Sequence, residues 1–364
     1  MASRAIHNRL MEITAESPVS AIDIFCGAGG LTHGLMQAGI KVEAGIDLDE
    51  QMEHAFVNNN PGVDFLPWDV ARKNYTSIEK LFDSDKHRLL AGCAPCQPFS
   101  KLTNGVKEHR AWDLLDNFGR FVAGILPELV TMENVPELAD RGRVVFDRFV
   151  RTLQKHDYHV AWCVVQCPEY GIPQSRKRLV LLASRLGEIE IPEGCYRYPS
   201  LWRTVRQTIA KLPPLESGEE DPDDPMHGAS QLSPLNLKRI RATKHDGGTR
   251  HDWPDALILD CHRKKSGESY FSIYGRMWWD QPAPTMTTLC TGLGNGRFGH
   301  PEQDRAITLR EAALFQSFPR SYEFWPSDER LNRKAVGRMI GNAVPPKLAK
   351  ALGCAIMEHV AAYA

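Results

Sequence analysis

The sequence predicts an α/β fold, a doubly wound and largely parallel sheet with a second, smaller module, and three observations carry that expectation. Short apolar runs alternate with amphipathic stretches from Val19 to about Ser184, which is the pattern of successive βα units. A glycine turn, Gly27 to Gly30, joins the first apolar run to the first amphipathic stretch. At 364 residues the chain exceeds the roughly 250–300 at which one core usually stops growing.

Taken in order, strands are expected at Ala21–Phe25, Val42–Ile46, Leu89–Gly92, Leu129–Glu133, His159–Gln166 and Leu179–Ala183, each a short apolar run bounded by polar or glycine-containing segments. Helices are expected between them at Leu31–Ala38, Glu50–Asn58, Trp112–Ile125 and Val144–Lys155. The texture changes from about Gly187, with Pro213-Pro214, an acidic run from Glu216 to Asp224, and frequent Gly, Pro, Trp and Tyr up to Gly299. The acidic run reads as a solvated loop. Ala306–Phe315 reads as a helix, and Pro345-Pro346 opens a last one with Leu348, Leu352, Ile356 and Val360 on one face.

Composition excludes several classes. With 42% hydrophobic and 24% charged residues the chain is neither disordered nor collagenous. No run approaches the roughly 18 apolar residues of a membrane-spanning helix. The segment Met1 to Pro18 lacks the apolar stretch of a secretory signal, so a cytoplasmic protein is expected. Nine cysteines, an odd number, argue for reduced thiols, one of them reactive. A net charge of -1 requires any polyanionic partner to be met by a local basic surface. Lys238, Arg239, Arg241, Lys244, Arg250, Arg263, Lys264 and Lys265, interleaved with His245, His251, Trp253, Tyr270 and Tyr274, fit a phosphate backbone or simply a solvated basic face.

Four constellations carry chemistry. Asp23-Ile-Phe-Cys-Gly-Ala-Gly-Gly30 brings a strand end through glycines to a helix N-terminus, where free N–H groups favour an anion. Thr32 breaks the full dinucleotide fingerprint, which leaves a carboxylate-bearing nucleoside such as S-adenosylmethionine open. Asp47 ends the next strand, where a carboxylate can accept from ribose hydroxyls, and Asp69 follows a later turn. The alternative is a plain tight turn with both aspartates capping helices. Gly92-Cys-Ala-Pro-Cys-Gln-Pro-Phe-Ser100 admits a redox pair Cys93/Cys96, half a zinc site, or a single nucleophile at Cys96. Thr131-Met-Glu-Asn-Val-Pro136 ends a strand with Glu133, a candidate acid or base, or a structural carboxylate bonded to a loop amide. Gln174-Ser-Arg-Lys-Arg178 sets Arg176 and Arg178 on one strand face, suiting a phosphate or a carbonyl oxygen.

Together and in this order these segments resemble the DNA (cytosine-5)-methyltransferase family, of the bacterial restriction–modification or orphan type. The resemblance rests on Phe25-Cys-Gly-Ala-Gly-Gly30, Pro95-Cys96-Gln97, Glu133-Asn134-Val135, Gln174-x-Arg176-x-Arg178, Arg310-Glu-Ala-Ala-Leu-Phe-Gln-Ser-Phe-Pro319 and Gly341-Asn342-Ala-Val344, and it covers roughly residues 20–185 and 304–350. It implies a Rossmann-like S-adenosylmethionine-dependent methyltransferase domain, 1–187 plus 333–364, and a smaller target-recognition domain, 188–332. It implies Cys96 as nucleophile at cytosine C6, Glu133 as proton donor at N3, Arg178 at O2, and Arg176 placing the loop or a phosphate. By the same resemblance Phe25, Gly27, Ala28, Gly29 and Gly30 hold the methionyl part of S-adenosylmethionine. Asp47 then takes the ribose, and Leu48, Asp69 and Val70 take the adenine. Asn342 and Val344 close the site. Ala283-Pro-Thr-Met286 looks like the family's short recognition signature, with Thr285, Met286, Gln97 and Ser100 as implied contacts to double-stranded DNA. No metal is expected. The implied partners are duplex DNA and a cognate restriction endonuclease at the same site, in a chain expected to be a monomer.

The chain departs from the family at Ala94, where a proline is frequent, at Glu108-His-Arg110, which stands in for an Asp-x-Arg spacing, and at Leu48, where an aromatic is frequent. Two other readings compete: an RNA cytosine methyltransferase of the same architecture acting on tRNA, and a non-catalytic DNA-binding relative.

Overall fold

The computed structural model describes residues 16–95, 108–264 and 272–363. In chain order the first half runs β1 (Val19–Ile24), α1 (Gly30–Gln37), β2 (Lys41–Ile46), α2 (Glu53–Asn59), β3 (Asp64–Leu66), α3 (Tyr75–Glu79), β4 (His87–Gly92), α4 (Glu108–Ile125), β5 (Leu129–Asn134), α5 (Arg143–Lys155), β6 (His159–Gln166), β7 (Gln174–Ser175) and β8 (Lys177–Ser184). The second half adds α6 (Val205–Ile209), β9 (Glu220–Asp221), β10 (Asp224–Gly228), α7 (Pro234–Ala242), α8 (Asp260–Arg263), β11 (Ala283–Pro284), α9 (Leu309–Phe315), α10 (Arg333–Asn342) and α11 (Pro346–Ala362).

Seven strands form one sheet in the order β3-β2-β1-β4-β5-β8-β6. Its neighbours pair in parallel except at β8, which runs antiparallel to both β5 and β6. The chain order reverses between β1 and β4, which makes the crevice at their carboxyl ends the place where such sheets bind ligands. All six residues of β1 are buried, because alternate side chains enter opposite layers. Val19 and Ala21 join the core with Leu31 and Leu35 of α1 and Leu348 and Leu352 of α11. Ile22 and Ile24 join the other core with Phe118, Phe121 and Phe149 of α4 and α5.

The C-terminal helix packs directly on α1. An added Cβ at Gly34 would stand 2.4 Å from the Pro346 carbonyl, and one at Gly353 would stand 2.7 Å from Ala38 Cβ, so the two helices meet at glycine. The first core also continues into Met277, Ala283, Met286, Phe315, Phe318, Tyr322 and Phe324, so residues 277–324 rest in part on the first half of the chain.

Several expectations shift. The largely parallel sheet contains one antiparallel strand, and β3 was too short to show periodicity. The helix expected at Glu50–Asn58 divides into a 3-10 turn, Glu50–Met52, capped by Asp49, and α2. The acidic run is not simply a wet loop. It supplies β9 and β10, and Asp224 is buried against Arg310, with Nε–Oδ2 at 2.6 Å and Nη2–Oδ1 at 3.0 Å. The basic cluster divides as well: Arg239 and Arg250 are buried, Lys238, Arg241, Lys244, Arg263 and Lys264 are exposed, and Lys265 and Tyr270 lie outside the described residues. Among the described residues no helix is long and apolar enough to cross a membrane.

Candidate active site

The glycine turn begins where β1 ends. Phe25 has a φ of 64°, unusual for a residue with a side chain, and Gly27 and Gly29 follow at 52° and 86°. An added Cβ at Gly30 would stand 2.4 Å from the Val344 carbonyl, and the Tyr322 hydroxyl donates to the Ala28 carbonyl at 2.6 Å. The turn is therefore held from behind by the C-terminal part of the chain. Its front is open, since an added Cβ at Gly27 would meet nothing within 4 Å, and no side chain caps the N-terminus of α1. Beneath it the Thr32 hydroxyl donates to Asp23 Oδ2 at 2.7 Å. Burial pushes the Asp23 carboxyl up to about 7, against the lowering effect of Thr32.

Asp47 ties the turn to the end of β2. Its Oδ2 accepts from the Gly27 amide and its Oδ1 from the Asp49 amide, both at 2.9 Å. Each carboxylate oxygen retains capacity for a further donor. Burial raises the Asp47 carboxyl from its ordinary range. Leu48, next in the chain, is 66% exposed, an apolar side chain left in the open at the crevice. Asp69 caps the turn after β3 by accepting from Ala71 N at 3.0 Å, and it pairs with Arg72 at 3.2 Å. The Val70 side chain is buried in the core with Ile24 and Ile46, so any ligand contact there falls to its backbone.

The third corner is at the carboxyl ends of β4 and β5. Because β8 runs antiparallel to β5, its first residues stand beside the last residues of β5, with Glu133 opposite Val180 and Asn134 opposite Leu179. That register brings Arg178 to Glu133, with Nε 2.7 Å from Oε1 in an ion pair that departs from hydrogen-bond direction. The Cys93 thiol donates to Glu133 Oε2 at 3.0 Å. Glu133 is 3% exposed. Burial pushes its carboxyl above the ordinary value, and Arg178 and Cys93 oppose that rise. Asn134 Nδ2 donates to the Ala94 carbonyl at 3.1 Å, which fixes the segment leading toward Cys96. Cys96, Gln97 and Ser100 lie outside the described residues.

Arg176 and Arg178, expected on one strand face, take different partners. Arg176 is buried and donates from Nη1 to the Met286 carbonyl at 2.9 Å and from Nη2 to the Gly341 carbonyl at 3.1 Å. It holds two backbone segments to the sheet. Gln174 works alongside: its Oε1 accepts from the Met286 amide at 2.7 Å and its Nε2 donates to Gln316 Oε1 at 2.8 Å. β11 pairs with β7, and the Thr285 hydroxyl donates to the Ser175 carbonyl at 2.9 Å. Thr285 is exposed and the Met286 side chain is buried. Asn342 is exposed at the end of α10, and Val344 is buried with its carbonyl against Gly30.

Burial pushes the thiol of Cys26 well up, and those of Cys167 and Cys290 to about 12, so these three stay protonated and inert. Among the described residues no group of three or more His, Cys, Asp or Glu side chains could hold a metal ion. Sequence reasoning did not assign the roles of Cys93, Gln316 and Tyr322, which depend on partners 40 to 294 positions away in the chain.

Comparison with known proteins bears on this arrangement. The chain matches the family model described as C-5 cytosine-specific DNA methylase over residues 19–358. It is 48% identical over 343 residues to the Type II methylase M.HgiDII of Herpetosiphon aurantiacus, covering 94% of this chain and 96% of that one. To the Type II methyltransferase M1.BsuMI of Bacillus subtilis it is 31% identical over 355 residues, 93% and 80% of the two chains. Among solved structures, an E. coli prophage chain described as a DNA modification methyltransferase superposes with a TM-score of 0.71 at 21% identity, covering 94% and 99%. The Dnmt2 methyltransferase of S. pombe superposes with a TM-score of 0.59 at 18% identity, covering 94% and 99%. The two superpositions speak to the fold.

Proposed function

The chain belongs to the C-5 cytosine-specific DNA methylase family, and on that premise we propose that it transfers a methyl group from S-adenosylmethionine to C5 of a cytosine flipped out of a specific duplex DNA sequence, through a covalent bond from Cys96 to C6. The observation that carries this reading is the buried Glu133, 2.7 Å from Arg178, at the carboxyl edge of β5. A carboxyl and a guanidinium side by side suit a pyrimidine edge on which N3 takes a proton while O2 gains charge.

The residues around the crevice fit S-adenosylmethionine. The open front of the glycine turn and the uncapped N-terminus of α1 suit its methionyl carboxylate, Asp47 its ribose, and the exposed Leu48 its adenine face. When bound, it supplies an electrophilic methyl group. Cys96 adds as a thiolate to C6 while Glu133 delivers a proton to N3 and Arg178 meets O2, so C5 gains enamine character. C5 takes up the methyl group as its bond to the sulfonium sulfur breaks, which leaves S-adenosylhomocysteine as a neutral thioether. Loss of the C5 proton to a base or water then breaks the sulfur–carbon bond, and Glu133 regains its proton. A carboxyl raised by burial is suited to the donor part.

A base stacked in a duplex cannot reach residue 96, so the cytosine is extruded, with the exposed Thr285 beside the neighbouring phosphate. The same reading divides the chain into a catalytic unit, 1–187 plus 333–364, and a recognition unit, 188–332, and takes a cytoplasmic monomer as the working form. The experiment is competition between duplex DNA and tRNA for the labelled methyl group of S-adenosylmethionine. Label is expected in the duplex, and label confined to tRNA would end the DNA reading.

A further inference from the structure

The end of β4 is held from both sides, by β1 and by β5. The Cys93 amide donates to the Ile24 carbonyl of β1 at 3.3 Å, Ala94 is held through its carbonyl by Asn134, and an added Cβ at Gly92 would stand 3.0 Å from that same Ile24 carbonyl. A backbone fixed in this way leaves the Cys93 side chain little freedom. Its thiol is aimed at Glu133 Oε2, 3.0 Å away, and among the described residues it makes the only well-directed hydrogen bond to that carboxyl. Arg178 approaches the other oxygen.

From this geometry we propose that Cys93 is a positioning residue for the proposed acid: its thiol fixes the plane of the Glu133 carboxyl, leaving Oε1 with Arg178. The proposal rests on the reading of Glu133 as proton donor and adds a role for a second cysteine that forms no bond to the substrate. Among the described residues the groups facing Glu133 are Arg178 from β8, Cys93 after β4 and Cys167 after β6. Burial raises the Glu133 carboxyl, and the thiol is one of the groups that hold it down. Removing the donor therefore raises it further, so a step needing the protonated acid persists to higher pH.

The test is the pH profile of kcat for methyl transfer to duplex DNA in the wild type, Cys93→Ala, Cys93→Ser and Glu133→Gln. Cys93→Ala is expected to lower kcat about three- to tenfold, as loss of one orienting hydrogen bond would. Its alkaline limb is expected to move to higher pH, with KM for DNA unchanged. Cys93→Ser, which restores a donor, is expected to keep kcat within about threefold of wild type and to return the limb to the wild-type position or below. A Cys93→Ala enzyme with wild-type kcat and limb, or a Cys93→Ser enzyme no better than Cys93→Ala, overturns the proposal. Should Cys93→Ala not fold, Cys93→Val removes the donor while keeping more of the bulk. Glu133→Gln separates the two readings. Wild-type turnover in that variant sinks the assignment of the acid itself, whereas its inactivity beside an unmoved Cys93 profile sinks only the role of Cys93.

Discussion

Asp23 and Glu133 are both fully enclosed carboxyls, and their partners decide what each does with its proton. Among the described residues Thr32 is what donates to Asp23 and nothing donates to its Oδ1, so burial dominates and lifts it from 3.8 to about 7. A carboxyl bound to its proton more tightly when folded stabilises the protein fully below about pH 3.8, and that contribution is lost as pH rises toward 7. The interval spans about three pH units, or at most about 4 kcal/mol. Asp23→Asn should flatten this dependence, so denaturant unfolding at pH 5 and pH 8 should differ less in the variant than in the wild type. Parallel behaviour of the two proteins would contradict it. Glu133 is raised as well, but Arg178 and Cys93 restrain it. Turnover that needs its proton should fall on the alkaline side, and Glu133→Gln should lose at least about a hundredfold in kcat at every pH.

At the scale of elements, the glycine turn, α1 and the C-terminal segment form one unit in which close backbone approach replaces side-chain packing. Gly30→Ala would drive a methyl group against the Val344 carbonyl, 2.4 Å away. Backbone yields less readily than a side-chain tip, so a loss of about 1–3 kcal/mol in stability is expected, together with weaker binding of S-adenosylmethionine, readable by calorimetry. Arg176→Ala strands the carbonyls of Met286 and Gly341 and should lower stability by about 2–3 kcal/mol. An Arg176→Ala protein without that loss would mean that water replaces the guanidinium. The expected strands and most helices agree with the observed elements within a few residues, because β1, β2, β4, β5 and β8 are buried runs whose apolar character is visible locally. The glycine turn, Asp47 and Glu133 were legible for a related reason, since each sits at the end of such a run. What stayed hidden is non-local. Nothing near Arg176 in sequence says that its guanidinium meets residues 110 and 165 positions away, and nothing near Asp224 announces Arg310. The antiparallel insertion of β8, which brings Arg178 to Glu133, is likewise a property of sheet order.

Across the whole molecule, the fold gathers the glycine turn, Asp47, Glu133 and Arg178 at one edge of the sheet and leaves exposed cations on the second half of the chain. Lys238, Arg241, Lys244, Arg263 and Lys264 are exposed, whereas Arg239 is buried, donating to the Leu257 carbonyl at 3.0 Å and lying over the Trp253 and Tyr274 rings. If the exposed set meets phosphates, Lys244→Ala should weaken duplex binding equally for all sequences and reduce the slope of log affinity against log salt by about 1. Arg239→Ala should instead lower the melting temperature. A salt slope unchanged by Lys244→Ala would remove that residue from the DNA-facing surface. The central claim, however, concerns one sulfur and one ring carbon. A duplex carrying 5-fluorocytosine at the target position, incubated with the enzyme and S-adenosylmethionine, cannot release the C5 substituent and should stay bonded to the protein. Mass spectrometry of the digested complex is predicted to find the nucleotide on the peptide containing Cys96. No adduct, or an adduct on any other residue, would contradict the account.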